Sequence, residues 1–515
     1  MSGSLVSCLM LTRKTLRCKV QTHMLPLVKL NQVNESRATL AGHAFWGLIG
    51  CLSSLAFMVP RATGFLYGDD FLLYEASKSP GGYASNFLTS FQQIGGGKYR
   101  PLFTPIASVL LSFFERNYFY FQLVVLAVLS CTAVVGACIA YKLSNNWKVS
   151  AVVAAVIPMS RFTWYAQTTL HGVMEILAVF WMFLGLLALV TWLQSNYQSR
   201  RYLVVAVLGL GASAFTHERY LIICITLPIA VMILCKGRLL LRSQIFWLWA
   251  VVGLQFLLKK YVVHVDIFQG GGETPLRSSA GAWIAQHFGF ALLGVFGFSS
   301  GATDYYQNLG HGLFPTVGWS RLARLAGVVC AYVALVFAIL RKQLHVSAID
   351  RSLRNERVRV LLVLVTCAFS LLIPASTVIS RTEGRWLLGS DLILLIVLVL
   401  MGNLITTAKI RSFALAGILA GSLLMSVVTR HEFQRFSYDR RQAQLVLQLA
   451  EDASKPGASW NLDINVEGMI EWQFAYGRAF SQLTIPPTGF TFGGQCDSPC
   501  LHIEGSGFLI SPRWS

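Results

Sequence analysis

Long runs of apolar residues recur along this chain, and they restrict its possible folds more than any other feature. Most runs are about 17 to 23 residues long, the length of α-helix that crosses the hydrocarbon core of a bilayer. Several have no polar face, unlike the amphipathic helices of a soluble enzyme. Charged residues make up 13% of the chain, about half the share in a typical soluble domain. The sequence therefore predicts an all-α polytopic membrane protein.

About eleven transmembrane helices fit these runs. We place them near 44–60, 119–141, 149–167, 171–193, 202–216, 220–235, 244–260, 321–340, 358–378, 386–403 and 412–429. The pair at 202–216 and 220–235 is close to the lower length limit, with the polar corner THER between the two spans. A further apolar segment at 286–298 is too short to span comfortably, and we expect it to lie in the interface or to re-enter the membrane.

Basic residues between the spans set the orientation of the chain. The net charge is +19, and Lys and Arg concentrate in links such as QSRRY, KGRLLLR and RKQLHVSAIDRSLRNERVR. Cytoplasmic links carry such an excess, so residues 1–43 are predicted to be a cytoplasmic tail, 44–429 the transmembrane domain and 430–515 an extracytoplasmic region. The same distribution argues against nucleic acid as a partner, since no basic stripe with interleaved aromatic residues lies outside the spans.

The first extracytoplasmic loop, residues 61–118, contains two adjacent carboxylates in a chain where charge is scarce. Asp69 and Asp70 follow span one in the stretch FLYGDDFLLY. The end of the loop, from Pro101, has helical spacing with proline at its start and suits a helix of about 14 residues on the outer surface. Taken alone, adjacent loop carboxylates are more often solvated or cap a helix than functional.

Under this topology the conspicuous polar residues gather at the outer membrane face. Basic residues on that side run against the usual bias, and ionisable residues at membrane depth are functional by default. Besides the two aspartates, the predicted site residues are Tyr99, Arg100, Arg161, His171, Glu175, His217, Glu218, Arg219, Arg381, Glu383 and Arg385. These residues predict an outward-facing polar site.

Several of these residues also have a structural interpretation. His171 and Glu175 are four residues apart on one helical face, so a structural hydrogen bond explains them as well as a site does. Arg385 could anchor to lipid headgroups. The stretch HERYL begins like a zinc-peptidase helix but has Leu221 where the second histidine is needed. A divalent metal on His171, Glu175 or His217 stays possible, and the sequence requires no cofactor.

Cysteine usage marks the C-terminal region as different from the spans. Most cysteines lie inside apolar runs, where they behave as small hydrophobes. Cys496 and Cys500, in QCDSPC, form a close pair in polar sequence. In an extracytoplasmic region a disulfide between them could persist.

The first loop and the polar stretches around it resemble the GT-C superfamily of membrane glycosyltransferases. Among its members, the protein O-mannosyltransferase-like and the tetratricopeptide-carrying ones are the most similar. In that family an acidic pair in the first loop precedes a YRPL stretch, matched here by Asp69, Asp70 and residues 99–102. THERY stands where a Lys-Glu pair is common, so Glu218 fits and His217 departs.

Two later stretches add to the resemblance, which covers about residues 44 to 403. IPMSRFTWYAQ resembles the family segment at the end of span three. RTEGRWLLGSD resembles the ERYLYLPS stretch, with Arg385 and Trp386 matching Arg-Tyr and Gly384 inserted before them.

The resemblance implies a GT-C-like fold and a specific reaction. A sugar would pass from a polyprenyl-phosphate-linked donor to a glycan, lipid or protein acceptor at the outer face of the cell membrane. A loop aspartate would act as base, Asp69 by family position with Asp70 left open, and arginines such as Arg385 would hold the lipid phosphate. The chemistry asks for the same groups, because a carboxylate takes the proton of the attacking hydroxyl and Arg binds the departing phosphate through paired hydrogen bonds.

Other functions fit parts of the pattern. A lipid-linked polysaccharide polymerase or ligase would share the basic outer site without needing the aspartate pair. A transporter or flippase would call for internal repeats and broken helices near mid-membrane, and a non-catalytic membrane subunit would need neither. The sequence leaves open the sugar, the acceptor and the stereochemistry.

Overall fold

The computed structural model describes most of the helical core and part of the C-terminal region. The described residues are 42–58, 100–114, 118–167, 170–195, 199–234, 243–262, 288–289, 291–292, 294–295, 348–375, 384–405, 407–454, 459–467, 483–506 and 509–515. The predicted span at 321–340 lies outside them, as does most of the first loop.

Twelve helices make up most of the described chain. They are α1 (residues 42–56), α2 (Phe103–Phe114), α3 (Tyr118–Ser144), α4 (Trp147–Met159), α5 (Thr163–Ala166), α6 (Leu170–Gln194), α7 (Arg200–Thr216), α8 (Leu221–Leu234), α9 (Trp247–Tyr261), α10 (Ala348–Ala375), α11 (Leu388–Asn403) and α12 (Ala408–Ala453). Helices therefore occupy ten of the predicted spans.

Five stretches of helix are long and apolar enough to cross a membrane. They are Phe119–Ser144, Leu170–Gln194, Arg357–Ala375, Arg385–Asn403 and Ala408–Val427. The protein is a helical, multi-pass integral membrane protein, which confirms the predicted fold class. The count of eleven spans is not confirmed, because α7, α8 and α9 have 17, 14 and 15 residues and one predicted span is not described.

The helices pack around a shared apolar core. Helix α3 packs on α4 and α6, α6 packs on α7, and α11 packs on α4 and α10. Phe121, Leu129, Phe183 and Trp192 are fully buried between them. The backbones of α6 and α7 approach so closely that a Cβ atom on Gly209 would lie 2.8 Å from the backbone nitrogen of Gly185.

The third predicted span is interrupted. Helix α4 ends at Met159, and the short helix α5 begins only at Thr163, so the prediction of one span over 149–167 was too long. Pro158 lies within the last turn of α4 and lacks a backbone N–H. The Thr163 hydroxyl lies 2.6 Å from the Ser160 carbonyl oxygen, to which it donates. This break brings the residues that follow α4 to the same end of the bundle as the start of α6.

The C-terminal region contains a small mixed sheet. Strands β1 (Asn461–Glu467), β2 (Gly489–Thr491), β3 (Cys500–Ser506) and β4 (Leu509–Trp514) are ordered β2-β1-β3-β4. Strand β1 is parallel to β2 and β3, whereas β4 is antiparallel to β3. Helix α12 has 46 residues and continues past the predicted boundary at 429, and its end packs on β3 and β4. Cys496 and Cys500 are joined by a disulfide at the start of β3.

Candidate functional site at one end of the helix bundle

An ion pair joins the first loop to the corner between α7 and α8. Arg100 donates from Nε to Oε2 of Glu218 (2.7 Å) and from Nη2 to Oε1 (2.8 Å), which is the paired geometry that guanidinium and carboxylate groups favour. The backbone N–H of Leu102 adds a hydrogen bond to the Phe215 carbonyl oxygen (3.3 Å). The loop from Arg100 onwards is therefore attached to the THER corner, although Arg100 and Glu218 are 118 residues apart along the chain.

His217 connects this corner to α6. Its Nδ1 accepts from the backbone N–H of Arg219 (3.2 Å), and its Nε2 lies 3.1 Å from Oε1 of Glu175. A backbone N–H can only donate, so Nδ1 carries no proton and Nε2–H donates to the carboxylate. Both side chains are almost fully buried, at 2% and 1% exposed. His217 thus holds the buried acid of α6 in place.

Arg219 shares that buried acid. Its Nη1 lies 3.4 Å from Oε1 of Glu175, and its Cζ lies 4.3 Å from the centre of the Trp386 ring. Arg is weakly hydrated and stacks on aromatic faces, so the ring stabilises the charge away from bulk water. Trp386 belongs to a 3-10 turn, Gly384–Leu387, directly before α11. The THER corner is therefore in contact with the 3-10 turn before α11.

Arg385 occupies the same 3-10 turn and is also buried, at 8% exposed. It interacts electrostatically with Glu175 and with Arg100. An arginine that merely anchored to lipid headgroups would extend its guanidinium towards the bilayer surface. Arg385 is instead buried and interacts with charged residues of two other segments, which makes it part of one rim network. We define this network as Arg100, Glu175, His217, Glu218, Arg219 and Arg385.

The rim network carries an excess of positive charge. It contains three guanidinium groups, two carboxylates and a histidine whose pKa is lowered to about 4 by burial and by the positive charges of Arg100 and Arg219. Three positive and two negative charges leave a net charge of +1 at neutral pH. Lys259, near the end of α9, adds a further positive charge that interacts with Glu218. The network can therefore attract an anion at this end of the bundle.

The Arg100–Glu218 pair keeps its charges despite burial. Burial opposes the charge of Arg100, but the Glu218 carboxylate offsets this and raises the pKa of Arg100. Burial likewise favours the neutral acid, yet Arg100 and His217 hold the pKa of Glu218 well below its usual range. Removing one partner of such a pair leaves an uncompensated charge, so the attachment of the loop depends on both.

Two other predicted residues, Arg161 and His171, lie on the segments around the break after α4 and at the start of α6. Arg161 donates from Nη2 to the Gly294 carbonyl oxygen (2.8 Å) and stacks on the Phe162 ring. This bond ties the break after α4 to the segment predicted to be interfacial or re-entrant. His171 lies one turn before Glu175 on α6, with its ring 6.3 Å from that of Phe103 at the start of α2. Asp69, Asp70, Tyr99, Arg381 and Glu383 lie outside the described residues.

The sequence interpretation missed three residues around the network. Trp386, whose ring lies against Arg219, is in the sequence only a match to the tyrosine of the ERYLYLPS stretch. Lys259 ends a predicted span, and the parity of the spans already puts it on the outer side. Asp391 accepts a hydrogen bond from Ser160 (2.5 Å), and an acid just inside an apolar run is a signal that the sequence contains. Among the residues that the structure describes, no group of three His, Cys, Asp or Glu side chains could hold a metal ion.

The buried His217 of the rim network should make the stability of the folded protein depend on pH. Because the pKa of His217 is about 4 in the folded protein and 6.5 without its surroundings, the unfolded chain binds a proton over this range and the folded one does not. Stability should therefore fall as pH decreases from about 6.5 to about 4, by on the order of 3 kcal/mol from this group. Glu218 acts in the same direction at lower pH, because its pKa is also depressed.

The measurement is the melting temperature of the detergent-purified protein between pH 7.5 and pH 4.5. His217→Gln keeps a polar side chain but removes the titrating group, so its melting temperature should depend less on pH than that of the wild type. Equal pH dependence in the two proteins would contradict the assignment of a neutral, buried His217.

Comparison with known proteins finds similar chains among solved structures. No protein-family model and no curated protein matches the chain. Among solved structures, the chain is similar to ArnT from Cupriavidus metallidurans bound to undecaprenyl phosphate, with 14% sequence identity and a TM-score of 0.41. The similarity covers 90% of this chain and 87% of that one.

Proposed function

We propose that this chain is a membrane glycosyltransferase that moves a sugar from a polyprenyl-phosphate-linked donor to an acceptor at the extracytoplasmic face. The observation that carries the proposal is the rim network, in which three arginines from three separate segments lie at one end of an apolar helix bundle. A polyprenyl-phosphate sugar has an apolar tail, a phosphate at headgroup level and a sugar beyond it. A positively charged rim above apolar helices matches that order of groups.

The proposal assigns different tasks to the arginines. Both paired donors of Arg100 are engaged by Glu218, so we assign Arg100 to holding the first loop against the bundle. Arg385 is the proposed phosphate ligand, because it adds a positive charge to the network and the departing phosphate gains negative charge in the transition state. Arg219, stacked on Trp386, is positioned to support the same anion.

The proposed base is a carboxylate of the first loop, Asp69 or Asp70. Transfer to a hydroxyl acceptor forms a glycosidic bond and breaks the bond to phosphate, while the proton of the acceptor passes to the carboxylate. The hydrogen bonds of Arg100 and Leu102 hold the later part of this loop at the rim network. This attachment supports the assignment of the base to the same loop. The proposed donor belongs to the same lipid class as the undecaprenyl phosphate bound in ArnT, although the proposal rests on the site and not on that likeness.

The direct test is release of free polyprenyl phosphate. The purified full-length protein is incubated in lipid nanodiscs with a panel of polyprenyl-phosphate hexoses labelled in the sugar, together with a membrane extract as source of acceptor. We expect release of the lipid phosphate and transfer of label for at least one donor. A transporter would move the donor intact, and a polymerase or ligase would consume diphosphate-linked substrates instead. No release from any donor by folded protein would reject the proposal.

A further inference from the structure

Three side chains of the C-terminal sheet are linked by hydrogen bonds. None of them belongs to the rim network. Asp463 lies on β1, His502 on β3 and Ser515 directly after β4. Nδ1 of His502 is 3.2 Å from Oδ2 of Asp463, and Nε2 is 2.9 Å from Oγ of Ser515. The order of atoms, hydroxyl to Nε2 and Nδ1 to carboxylate, is that of an activated serine nucleophile.

We infer that Ser515, His502 and Asp463 form a nucleophilic serine site that hydrolyses carboxylic esters. This activity is separate from sugar transfer and uses none of the residues of the rim network. The hydrogen bonds of His502 determine which of its ring nitrogens carries the proton, and this supports the inference. A carboxylate only accepts hydrogen bonds, so Nδ1 of His502 carries the proton, and in the neutral ring Nε2 is then free to accept the hydroxyl proton of Ser515.

The acid is held so that one oxygen faces the histidine. Oδ1 of Asp463 accepts from the Thr491 hydroxyl (2.9 Å) and from the backbone N–H of Gly494 (3.3 Å). Oδ2 is left for His502. Because the first oxygen is held from two sides, the carboxylate cannot rotate away from the ring without losing two hydrogen bonds. A base whose orientation is set by a third group is the defining feature of such sites.

The strand register produces this arrangement. Asp463 and His502 are direct partners on the parallel strands β1 and β3. Ser515 pairs with Cys500 through both backbone hydrogen bonds, which puts it one pair further along β3. Cys500 and His502 are two residues apart, so their side chains point to one face of the sheet. Alternate residues such as Leu462 and Leu501 are buried in the core shared with α12 on the other face.

Burial decreases from the acid to the nucleophile. The Asp463 side chain is 6% exposed, that of His502 is 22% exposed, and Ser515 is exposed. A purely structural cross-strand network needs no such gradient, whereas a nucleophile has to meet its substrate while the orienting acid is shielded from water. Since water reaches Ser515 freely, the site suits substrates with good leaving groups, and these are esters rather than amides.

The reaction is balanced with water as the only co-reactant. Oγ of Ser515 bonds to the ester carbonyl carbon, and its proton passes to Nε2 of His502, where Asp463 stabilises the imidazolium. The carbon–alkoxide bond breaks, and the alcohol leaves with that proton. Water then attacks the acyl-serine, again giving a proton to Nε2, and Ser515 recovers its proton as the carboxylic acid is released.

Labelling with a fluorophosphonate tests the inference in the full-length protein. The probe phosphonylates an activated serine with release of fluoride. Cleavage after Glu504 by a glutamate-specific protease gives the peptide 505–515, and fragmentation of this peptide separates Ser515 from the serines before it. We expect label on Ser515, none in Ser515→Ala, and a labelling rate about a hundredfold lower in His502→Gln, as loss of a general base implies. Hydrolysis of p-nitrophenyl acetate should fall in parallel.

Ser511→Ala is the matched control. Ser511 is exposed and lies four residues before Ser515 with its side chain on the same face of the sheet, and its removal should leave labelling unchanged. Because His502 and Ser515 are partly or fully exposed, both variants should fold, and their melting temperatures verify this. Absence of label on Ser515, equal labelling of Ser511, or an unchanged rate in His502→Gln would each overturn the inference. None of these outcomes affects the proposed sugar transfer.

Discussion

Replacing Asp69 or Asp70 by asparagine should lower donor turnover by about a hundredfold or more in at least one of the two variants, as loss of a general base typically does. Asparagine keeps the size and most hydrogen bonds of aspartate but can neither accept the proton of the acceptor nor carry the charge. The measurement is release of polyprenyl phosphate at saturating donor and acceptor. Because only one of the two carboxylates needs to face the acceptor, the variants should differ from each other.

The same loop supplies a matched control. Glu75 follows the aspartates by a few residues, so Glu75→Gln removes one negative charge from the same loop without touching the acidic pair. Its turnover should stay close to that of the wild type, which separates loss of a base from loss of loop charge. Near-normal turnover in both Asp69→Asn and Asp70→Asn would contradict a catalytic role of the pair. The proposed reaction would then have no assigned base.

Part of the grouping of charged residues at one end of the bundle could be predicted from the sequence. Span parity and the positive-inside bias put Arg100, Glu175, the THER corner and Arg385 on one side, and the structure brings them into one network. These rules depend only on the order of spans and links, which a single sequence contains. They work even where the residues are far apart along the chain.

The choice of partners within that network could not be predicted. His171 and Glu175 share a helical face, and a hydrogen bond between them was a reasonable alternative to a site. Instead Glu175 is bound by His217 and Arg219, which come from a different segment. Which of several charged groups meets a buried acid depends on the distance and rotation between helices, and side-chain periodicity within one helix carries no information about either.

Some predicted helix ends differ from the observed ones, and local sequence signals explain the differences. The apolar run continues through FTWYA after α4, so hydropathy joined two helices that Pro158 and Ser160 separate. At residue 429, where the last predicted span ends, α12 loses its apolar character but continues as a helix. The stretch RRQAQLVLQLAEDA is rich in strong helix formers, and these sustain the helix to Ala453.

Replacing Arg385 should have the second large effect on donor turnover. If it binds the donor phosphate through two charge-assisted hydrogen bonds, Arg385→Ala loses about 3 kcal/mol of transition-state stabilisation, or about a hundredfold in turnover. Arg385→Lys keeps the charge but not the planar fork, so we expect a loss of about tenfold. A headgroup anchor would accept lysine at little cost, since both side chains reach the interface. Turnover and the KM for the donor are measured in each variant beside its melting temperature.

Arg201→Lys is the matched control for these variants. Arg201 stacks on the Tyr202 ring at the opposite end of α7 and is exposed, so its replacement tests loss of a stacked arginine away from the site. A purely structural role of Arg385 within the rim network would lower the melting temperature without a selective effect on the phosphate-dependent step. If Arg385→Lys kept full turnover at an unchanged melting temperature, the phosphate would have to be held elsewhere. Arg219, already stacked on Trp386, and Arg381 would then be the next residues to replace.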